Sequence, residues 1–379
     1  MTARPAGLPD ALYVTRPVLP ELAAFTASLV PVWQSAILTN GGRLHSQLED
    51  AIAGRLAFGH VSLWNNGTNA LLGALLALDL RGEVIVTPFT FPATVHAIAM
   101  LGLRPVFADI EPDTMTIAPA SIADRITPAT TAIVGTHLYG ISCDTAAIGE
   151  LARQHDLRVI YDGAHSFGRA TPIFDDTPDA LGDVTMLSFH ATKLFHTVEG
   201  GALVTRDPEL DRRFRLARNF GIQSETEEEG LGLNGKMSEL HAAMGLQVLG
   251  LLGEELERRA AIADIYARRF AGIAGLDIAS GLGASKQYFV IRISPEFGST
   301  RDELHEMLRS ANVFSRRYFF PLVSDMSPYS QLPSAADLPV AKTVAQECLV
   351  LPLHGSMTAA QAEIVADLVA WQHTDGGAA

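Results

Sequence analysis

The sequence predicts an α/β protein, with a large domain built on a mostly parallel mixed sheet and a smaller C-terminal α+β domain. The first observation is that short apolar runs alternate with segments of helical apolar spacing through the first half of the chain. The second is that this pattern changes to a shorter set of elements from about Leu276. The third is size, because 379 residues, 48% of them hydrophobic and 18% charged, suffice for one large and one smaller core.

The chain begins with a proline-rich stretch that shows no sustained periodicity. We predict an N-terminal arm at residues 1–37 that packs on the body of the protein. The large domain is expected at residues 38–250 and the small domain at residues 251–379. A long helix at about residues 238–270, capped by Ser238, should link the two.

The large domain is predicted from the alternation of two periodicities. Such alternation favours parallel strands joined by helices, and ligands of these sheets bind at the carboxyl ends of the strands. The predicted helices span residues 21–30, 45–56, 69–80, 93–101, 118–126 and 145–154. The predicted strands span residues 61–64, 83–87, 105–108, 131–136, 157–161, 184–187 and 202–205.

A glycine turn follows the first predicted strand of this sheet. Asn66, Gly67 and Thr68 stand between the strand and an Ala/Leu-rich helix. The first N–H groups of a helix lack partners within the helix, and the helix dipole favours negative charge there, so Gly67 and Thr68 are a candidate phosphate site. The alternative is that Thr68 only caps the helix. From the residues alone, both interpretations stay open.

Phe91 and Asp162 follow two further strands of the predicted sheet. An aromatic ring at the position of Phe91 either fills the core or stacks on a flat ligand. A carboxylate just past a buried strand, such as Asp162, needs a cation or hydrogen-bond donors nearby. Asp162 either caps the following turn or pairs with a protonated pyridine nitrogen, with His165 stacked against the ring.

Lys193 lies in a turn between the strand at residues 184–187 and the pair Gly200-Gly201. In one interpretation it is a solvated loop lysine, which is the usual fate of this residue type. In the other it is a desolvated amine that forms a Schiff base with a carbonyl, as in pyridoxal phosphate enzymes. Asp162 is expected at the same edge of the sheet, and this favours the second interpretation.

The C-terminal part combines a few strands and helices. Strands are predicted at residues 287–294 and around Val313, and helices at residues 301–311 and 358–371. Between them, three side chains could hold a diphosphate or a sugar, although most such clusters only face solvent. These are Arg316, Arg317 and Tyr318.

Composition excludes several classes of protein. A formal net charge of −14 opposes non-specific binding to nucleic acid, and no apolar stretch is long enough to span a bilayer, so we expect a cytoplasmic protein that is not membrane-bound. Two distant cysteines suggest no disulfide framework. No zinc, nucleotide-hydrolase or serine-hydrolase motif is present, and no metal is expected. Gly230, Gly232 and Gly235 have dinucleotide-type spacing, but no strand precedes them.

Taken in order, several motifs of this chain resemble those of the DegT/DnrJ-type sugar aminotransferases, which are pyridoxal phosphate enzymes of fold type I. The resemblance extends from about Leu38 to Trp371. The motifs are Asn66-Gly67-Thr68, Thr90-Phe91, Asp162-Gly163-Ala164-His165, Ser188-Phe189-His190-Ala191-Thr192-Lys193, Glu199-Gly200-Gly201 and Gly232-Leu233-Asn234-Gly235-Lys236-Met237-Ser238-Glu239-Leu240.

The resemblance implies roles for individual residues. Lys193 matches the lysine that forms the Schiff base, Asp162 the partner of the pyridine nitrogen, and His165 the residue that packs on the cofactor ring. Asn234 matches a residue given to the phosphate of the neighbouring subunit's cofactor, which implies a homodimer with shared active sites. The remaining implied cofactor contacts are Asn66, Gly67, Thr68, Phe91 and Ser188.

Two departures limit what the resemblance implies about substrate contacts. The family often has arginine where this chain has Lys236, and lysine lacks the bidentate geometry of arginine. The segment 316–321 also differs from the more usual His-Tyr-Pro-type version. Lys236, Arg316, Arg317 and Tyr318 are therefore only candidate substrate contacts.

The implied function is transfer of an amino group from an amino acid, expected to be L-glutamate, to a nucleotide-linked keto deoxysugar. The expected cofactor is pyridoxal 5′-phosphate, with pyridoxamine phosphate as intermediate. The chain resembles the subgroup that aminates carbon 4 of thymidine diphosphate 4-keto-6-deoxyglucose. The alternatives are a 3-keto sugar aminotransferase and a regulatory or binding protein of this fold without turnover. The dehydratase branch has histidine in place of the lysine, so Lys193 argues against it.

Overall fold

The computed structural model describes residues 3–57, 59–168, 177–279 and 286–374. Most of its strands belong to one large central sheet, and the others form two smaller sheets. The strands are β1 (Leu12–Tyr13), β2 (His60–Trp64), β3 (Glu83–Val86), β4 (Arg104–Phe107), β5 (Thr130–Thr136), β6 (Arg158–Asp162), β7 (Val184–Ser188), β8 (Gly201–Thr205), β9 (Leu276–Ile278), β10 (Phe289–Ile293), β11 (Val313–Phe314) and β12 (Cys348–Leu351).

The helices cover both faces of the central sheet and pack on the second sheet. None within the described ranges is both long and apolar enough to cross a membrane. The helices are α1 (Leu22–Ser35), α2 (Arg43–Leu56), α3 (Gly67–Ala77), α4 (Pro92–Met100), α5 (Pro119–Arg125), α6 (Thr145–His155), α7 (Pro208–Arg218), α8 (Glu239–Phe270), α9 (Arg301–Ser310), α10 (Pro339–Glu347) and α11 (Ala359–Thr374).

Within the described ranges, the central sheet has seven strands in the order β2-β8-β7-β6-β5-β3-β4. Neighbouring strands from β7 to β4 are parallel, whereas β8 is antiparallel to both β7 and β2. The carboxyl ends of six strands therefore meet at one edge, where β8 begins. The predicted α/β fold with a mostly parallel mixed sheet is confirmed.

The two faces of the central sheet are buried against different helices. In β5, Ala132 and Val134 join the apolar cluster that includes α3 and α4, while Ile133 points to the cluster formed with α5 and α6. This alternation follows the two-residue period of a strand. Burial on both faces explains why the strands read as nearly continuous apolar runs in the sequence.

A second sheet, in the order β12-β10-β9, packs against α8, α9 and α11 around a separate apolar cluster. Tyr266, Leu304 and Val365 are fully buried in this cluster. These elements form the α+β unit expected in the C-terminal part. The predicted domain boundaries remain a prediction.

The long helix predicted from Ser238 is α8, which has 32 residues. The Ser238 hydroxyl accepts a hydrogen bond from the His241 backbone N–H at 3.4 Å, as expected of an N-cap. The Glu239 carboxylate in turn accepts hydrogen bonds from the backbone N–H groups of Leu44 and His45, at 2.8 and 2.9 Å. The start of α8 thereby caps the start of α2.

The N-terminal stretch is more regular than the sequence indicates. Helix α1 continues through Pro31 to Ser35, whereas we predicted a helix at residues 21–30 only. Proline removes one backbone hydrogen bond inside a helix. Burial of Val32 in the cluster that includes α2 and α8 accompanies the continuation of the helix past this point. Ahead of α1, β1 pairs in parallel with β11.

Five elements in the described part of the chain were not predicted: β1, α7, α10, β9 and β12. In α7, Leu210, Phe214 and Ala217 are buried at helical spacing among many charged residues. That spacing was a usable signal. The other four elements have nine residues or fewer, and short segments carry too few periods to be recognised.

Candidate active site

A cavity of about 330 Å³ lies at the carboxyl edge of the central sheet. It takes its lining from the ends of several strands, from the start of α3 and from two segments of the C-terminal part. Asp162 at the end of β6, Ser188 at the end of β7 and Lys193 in the following turn all line it. The topology therefore brings together the main residues that the sequence singled out.

One end of the cavity is formed by the N-terminus of α3. The Asn66 side chain caps this helix by accepting a hydrogen bond from the Asn69 backbone N–H at 2.7 Å. Thr68 and Ser188 line the same cavity. Unpaired N–H groups of a first helical turn attract an anion, so this end suits a phosphate. The cap is Asn66 rather than Thr68, which removes the capping alternative for Thr68.

Two glycines let the backbone approach closely at this end. A Cβ on Gly201 would lie 2.8 Å from the Gly67 backbone nitrogen, and a Cβ on Gly67 would lie 3.1 Å from the Met186 sulfur. β8 and α3 can therefore meet only because neither position has a side chain. The helix terminus is held directly against the sheet.

Asp162 is the last residue of β6 and is 3% exposed. Its Oδ2 accepts a hydrogen bond from the Thr94 hydroxyl at 2.5 Å, and its Oδ1 accepts one from the Ala164 backbone N–H at 3.0 Å. Burial raises the pKa of this carboxyl, and the two hydrogen bonds and the nearby Lys193 oppose the rise. Within the described residues it forms no ion pair, so a cation in the cavity would be its natural partner.

His165 is buried beside Asp162 and lines the cavity. Its Nδ1 accepts a hydrogen bond from the Tyr139 backbone N–H at 3.1 Å. Burial holds the pKa of His165 well below its usual value, and Lys193 adds to this effect. The ring is therefore neutral at neutral pH and offers a flat face to a ligand.

Lys193 is partly buried, and its backbone N–H donates to the His190 carbonyl at 2.8 Å, which closes the turn. Burial lowers the pKa of the Lys193 amine, while Asp162 and Tyr318 raise it. Burial is the larger cause. A lowered pKa increases the fraction of neutral amine, which is the form that reacts with a carbonyl.

Three aromatic rings from the C-terminal part close the opposite wall. Tyr288, Tyr318 and Phe319 line the cavity, and the Tyr288 ring meets the His165 ring edge to face at 5.0 Å between centroids. Sequence reasoning selected Tyr318 but missed Tyr288 and Phe319. The local sequence around an aromatic residue at the start of a strand, such as Tyr288, does not show whether its ring lines a cavity or fills the core.

The threonines around Asp162 were also missed as site residues. Thr94 and Thr90 are 1% exposed, and their hydroxyls lie 3.3 Å apart. The Thr90 hydroxyl lies 3.0 Å from that of Thr136 at the end of β5. The available signal was a set of threonines at or after strand ends and at the start of α4, because a buried carboxylate requires donors.

The remaining predicted residues lie at the rim or outside this cavity. Phe91 lines it, and 58% of its surface is exposed, so it is not core filler. Asn234 is exposed, and its backbone carbonyl accepts a hydrogen bond from the Asn65 side chain. Three predicted substrate contacts are not among the residues that line the cavity: Lys236, Arg316 and Arg317.

Two of those side chains, Lys236 and Arg317, have other partners. Lys236 donates to the Asn219 side chain at 3.1 Å and lies 4.4 Å from the centre of the Phe220 ring. Arg317 donates to Asp302 at 3.1 Å. Arg316 is exposed and its backbone pairs with Val350. Their proposed roles stay predictions, and among the described residues no group of three or more His, Cys, Asp or Glu is arranged to hold a metal ion.

Comparison with known proteins identifies a family for nearly the whole chain. Residues 21–370 match the DegT/DnrJ/EryC1/StrS aminotransferase family. The chain is 40% identical over 352 residues to the dTDP-4-amino-4,6-dideoxy-D-glucose transaminase of Shigella dysenteriae, with 92% of this chain and 95% of the relative covered.

Two solved structures are similar over most of their length. DesI in the presence of its TDP-sugar product has a TM-score of 0.92 and 36% identity, covering 98% of this chain and 95% of that chain. NtdA from Bacillus subtilis with bound cofactor PMP has a TM-score of 0.85 and 25% identity, covering 93% of this chain and 82% of that chain.

The cavity fits pyridoxal 5′-phosphate, the cofactor of this family. The helix N-terminus with its closely packed glycines can bind the phosphate group. The buried carboxylate of Asp162, which forms no ion pair within the described residues, can pair with the protonated ring nitrogen. A primary amine, Lys193, lies in the same cavity. The phosphate, the ring nitrogen and the aldehyde of the cofactor thus each have a chemically matched group in this chain.

Proposed function

We propose that this chain, which belongs to the DegT/DnrJ/EryC1/StrS aminotransferase family, transfers an amino group to carbon 4 of thymidine diphosphate 4-keto-6-deoxyglucose. The name of the Shigella dysenteriae relative and the TDP-sugar product in DesI support this substrate class. L-glutamate is the proposed amino donor.

The observation that carries the proposal is the meeting of three chemically different groups in one cavity. A helix N-terminus at Gly67, a buried carboxylate at Asp162 and a partly buried amine at Lys193 line the same 330 Å³ space. Each of these groups is common in proteins and alone specifies no ligand. Together they match a phosphate, a ring nitrogen and a carbonyl carbon.

In this proposal the residues of the chain hold and orient the cofactor. Gly67, Thr68 and Ser188 hold the phosphate, Asp162 pairs with the ring nitrogen, and His165 packs on the ring. The bound cofactor supplies an electron sink for the carbon from which a proton is removed. The negative charge of Asp162 keeps the ring nitrogen protonated, and Thr94 fixes the carboxylate in position.

Lys193 is the proposed proton carrier as well as the attachment point. After the donor amino group takes its place, its amine removes the proton from the donor's α-carbon, and later returns a proton to carbon 4 of the sugar. The lowered pKa of Lys193 increases the fraction of neutral amine, which is the form that accepts a proton. The aromatic wall of Tyr288, Tyr318 and Phe319 limits access of water to that side of the cavity.

We also propose a homodimer with shared active sites. Helix α1 is apolar on two sides: Phe25 and Leu29 pack on the cluster that includes α8, while Leu22 and Trp33 are 76% and 68% exposed. A helix that is apolar all round is expected to be covered on both faces. Exposed Asn234 would then contribute to the cavity of the second copy. A cytoplasmic location remains a prediction.

The proposal is tested with Lys193→Ala and with Lys342→Ala as a control at an exposed lysine. The wild type with pyridoxal phosphate should show the visible absorbance of lysine-bound cofactor, which glutamate should bleach. Lys193→Ala should lose this band and lower turnover by about 10²-fold to 10⁴-fold or more. The control should retain both properties.

Regiochemistry is tested by supplying the 4-keto sugar nucleotide and its 3-keto isomer and locating the new amine by NMR. We expect the amine at carbon 4. Amination of the 3-keto isomer alone would contradict the substrate, whereas full turnover by Lys193→Ala would contradict the aminotransferase mechanism itself. No turnover by the wild type with any amino donor would favour a binding or regulatory protein.

A further inference from the structure

The peptide groups on both sides of Lys193 are held by one side chain from a distant part of the sequence. The Gln287 Oε1 accepts a hydrogen bond from the Leu194 backbone N–H at 2.6 Å, and its Nε2 donates to the Thr192 carbonyl at 3.3 Å. One amide therefore binds the peptide that precedes Lys193 and the peptide that follows it. These two bonds restrict the backbone rotation of Lys193.

We propose that Gln287 is a positioning residue that fixes the backbone on both sides of Lys193 and so aims its amine into the cavity. This inference rests on the proposed role of Lys193 and adds to it. The side-chain amide imitates a neighbouring strand, since it offers one acceptor and one donor in the pattern of a backbone peptide group.

Burial supports a polar role for Gln287. The residue is 2% exposed, and a buried amide destabilises the fold unless its hydrogen bonds are satisfied. An apolar side chain of the same size would fill the space equally well. It would leave the Thr192 carbonyl and, at a buried position, the Leu194 N–H without their partner.

Gln287 is itself held from behind by a buried ion pair. Arg259 of α8 is 1% exposed and donates to the Gln287 backbone carbonyl at 3.2 Å. Its guanidinium pairs with Glu255 at 2.5 Å, and Glu255 also accepts the Gly355 backbone N–H at 2.8 Å. The support for Lys193 therefore extends through Gln287 to α8 and to the loop after β12.

The chain offers a substitution series that separates the two bonds. Gln287→Met keeps the length of the side chain and removes both bonds. Gln287→Glu keeps an acceptor for the Leu194 N–H but cannot donate to the Thr192 carbonyl. The control is Gln372→Met, at another buried glutamine, which lies in α11.

The first measurement is hydrogen exchange at the Leu194 amide in the full-length protein, before and after addition of pyridoxal phosphate. Gln287→Met should increase the exchange rate about tenfold or more, because that amide loses its acceptor. Gln287→Glu should leave it protected. The control should match the wild type. This readout does not depend on turnover.

The second measurement is steady-state kinetics with the reconstituted enzyme. Gln287→Met should lower kcat about 10-fold to 100-fold, since a small displacement of a reacting group costs this much, while KM for the amino donor stays within about threefold. The kcat of Gln287→Glu should lie between that of the wild type and that of Gln287→Met. A higher KM for the amino donor with an unchanged kcat would contradict a positioning role.

Unchanged exchange at Leu194 in Gln287→Met, or faster exchange with unchanged kcat, would overturn the inference. If Gln287→Met does not fold, the near-isosteric Gln287→Glu provides the test. A kcat of Gln287→Glu equal to that of the wild type would then overturn the inference. Turnover by Lys193→Ala would instead refute the proposed role of Lys193. An inactive Lys193→Ala together with an unaffected Gln287→Met would refute only the role of Gln287.

Discussion

The proposed role of Asp162 requires a negatively charged carboxylate, whereas its burial disfavours that charge. Asp162 is buried, and burial raises the pKa of its carboxyl, so without cofactor this carboxyl holds its proton more tightly in the folded protein than in the unfolded chain. The unfolded chain releases the same proton at a lower pH. Between the unfolded and the folded pKa the native state binds more protons, and the stability contributed by this group falls as pH rises.

We therefore predict that Asp162→Asn stabilises the cofactor-free protein at neutral pH and inactivates the enzyme. Asparagine can accept from the Ala164 N–H and donate to the Thr94 hydroxyl, and it carries no charge. The thermal midpoint should rise by a few degrees. This gain in thermal midpoint should disappear at pH values below the ordinary aspartate pKa. Calorimetry as a function of pH, with and without cofactor, provides the test.

A gain that persists in strong acid would show that the carboxylate charge is not its cause. Added cofactor should stabilise the wild type more than Asp162→Asn, because the wild-type carboxylate gains a cationic partner. Equal stabilisation of both proteins would contradict the pairing of Asp162 with the ring nitrogen.

At the level of single residues, the sequence identified the groups whose chemistry is unusual for their position. Lys193 and Asp162 were found because a charged group next to a buried strand needs a reason. Thr94 and Gln287 were not found, because their importance comes from contacts with residues 68 and 93 positions away. A buried threonine or glutamine has no local pattern that reveals such a partner.

Among the elements, the junction between β8 and the start of α3 has the closest backbone approach at the phosphate end of the cavity. We predict that Gly201→Ala weakens cofactor binding about tenfold or more, because its Cβ would lie 2.8 Å from backbone atoms of Asn66 and Gly67. Titration of the cofactor-free protein with pyridoxal phosphate measures this.

The matched control for this substitution is Gly54→Ala in α2. Nothing lies within 4 Å of a Cβ built at Gly54, and its backbone is helical. This variant should bind the cofactor normally and gain about 0.5 to 1 kcal/mol of stability. Normal cofactor affinity in Gly201→Ala would show that the close approach is not needed to hold the phosphate.

The elements that sequence reasoning predicted well are those with several repeats of one period. α8 was placed from Ser238 to Phe270, and the structure has it from Glu239 to Phe270 with Ser238 as its cap. The end of α1 was wrong, because proline usually stops a helix and the sequence does not show the packing of Val32 that accompanies the continuation. Tertiary contacts decided that boundary.

At the scale of the whole molecule, the exposed face of α1 is the feature that most needs a partner. We predict that Trp33→Glu converts the proposed homodimer into monomers and lowers activity, because it places a charge in the proposed interface. Sedimentation velocity at micromolar protein measures the oligomeric state.

Gln34→Glu is the control for this prediction, since it adds the same charge at the next exposed position of α1 without removing apolar surface. It should remain a dimer. A Trp33→Glu protein that dimerises as tightly as the wild type would place the interface elsewhere. A monomeric wild type would contradict the homodimer.

The bond between Gln287 and the Lys193 turn also bears on the order in which the protein becomes functional. It joins residues 93 positions apart, and the support of Gln287 reaches further, to Gly355. During synthesis the ribosome makes the N-terminal part first, and that part begins to fold before the rest exists. In the proposed mechanism, the phosphate end of the cavity can thus form early, whereas Lys193 becomes fixed only after the segments that carry Gln287 and Gly355 have emerged. A growing chain therefore has no fully positioned amine with which to capture an aldehyde before its fold is complete.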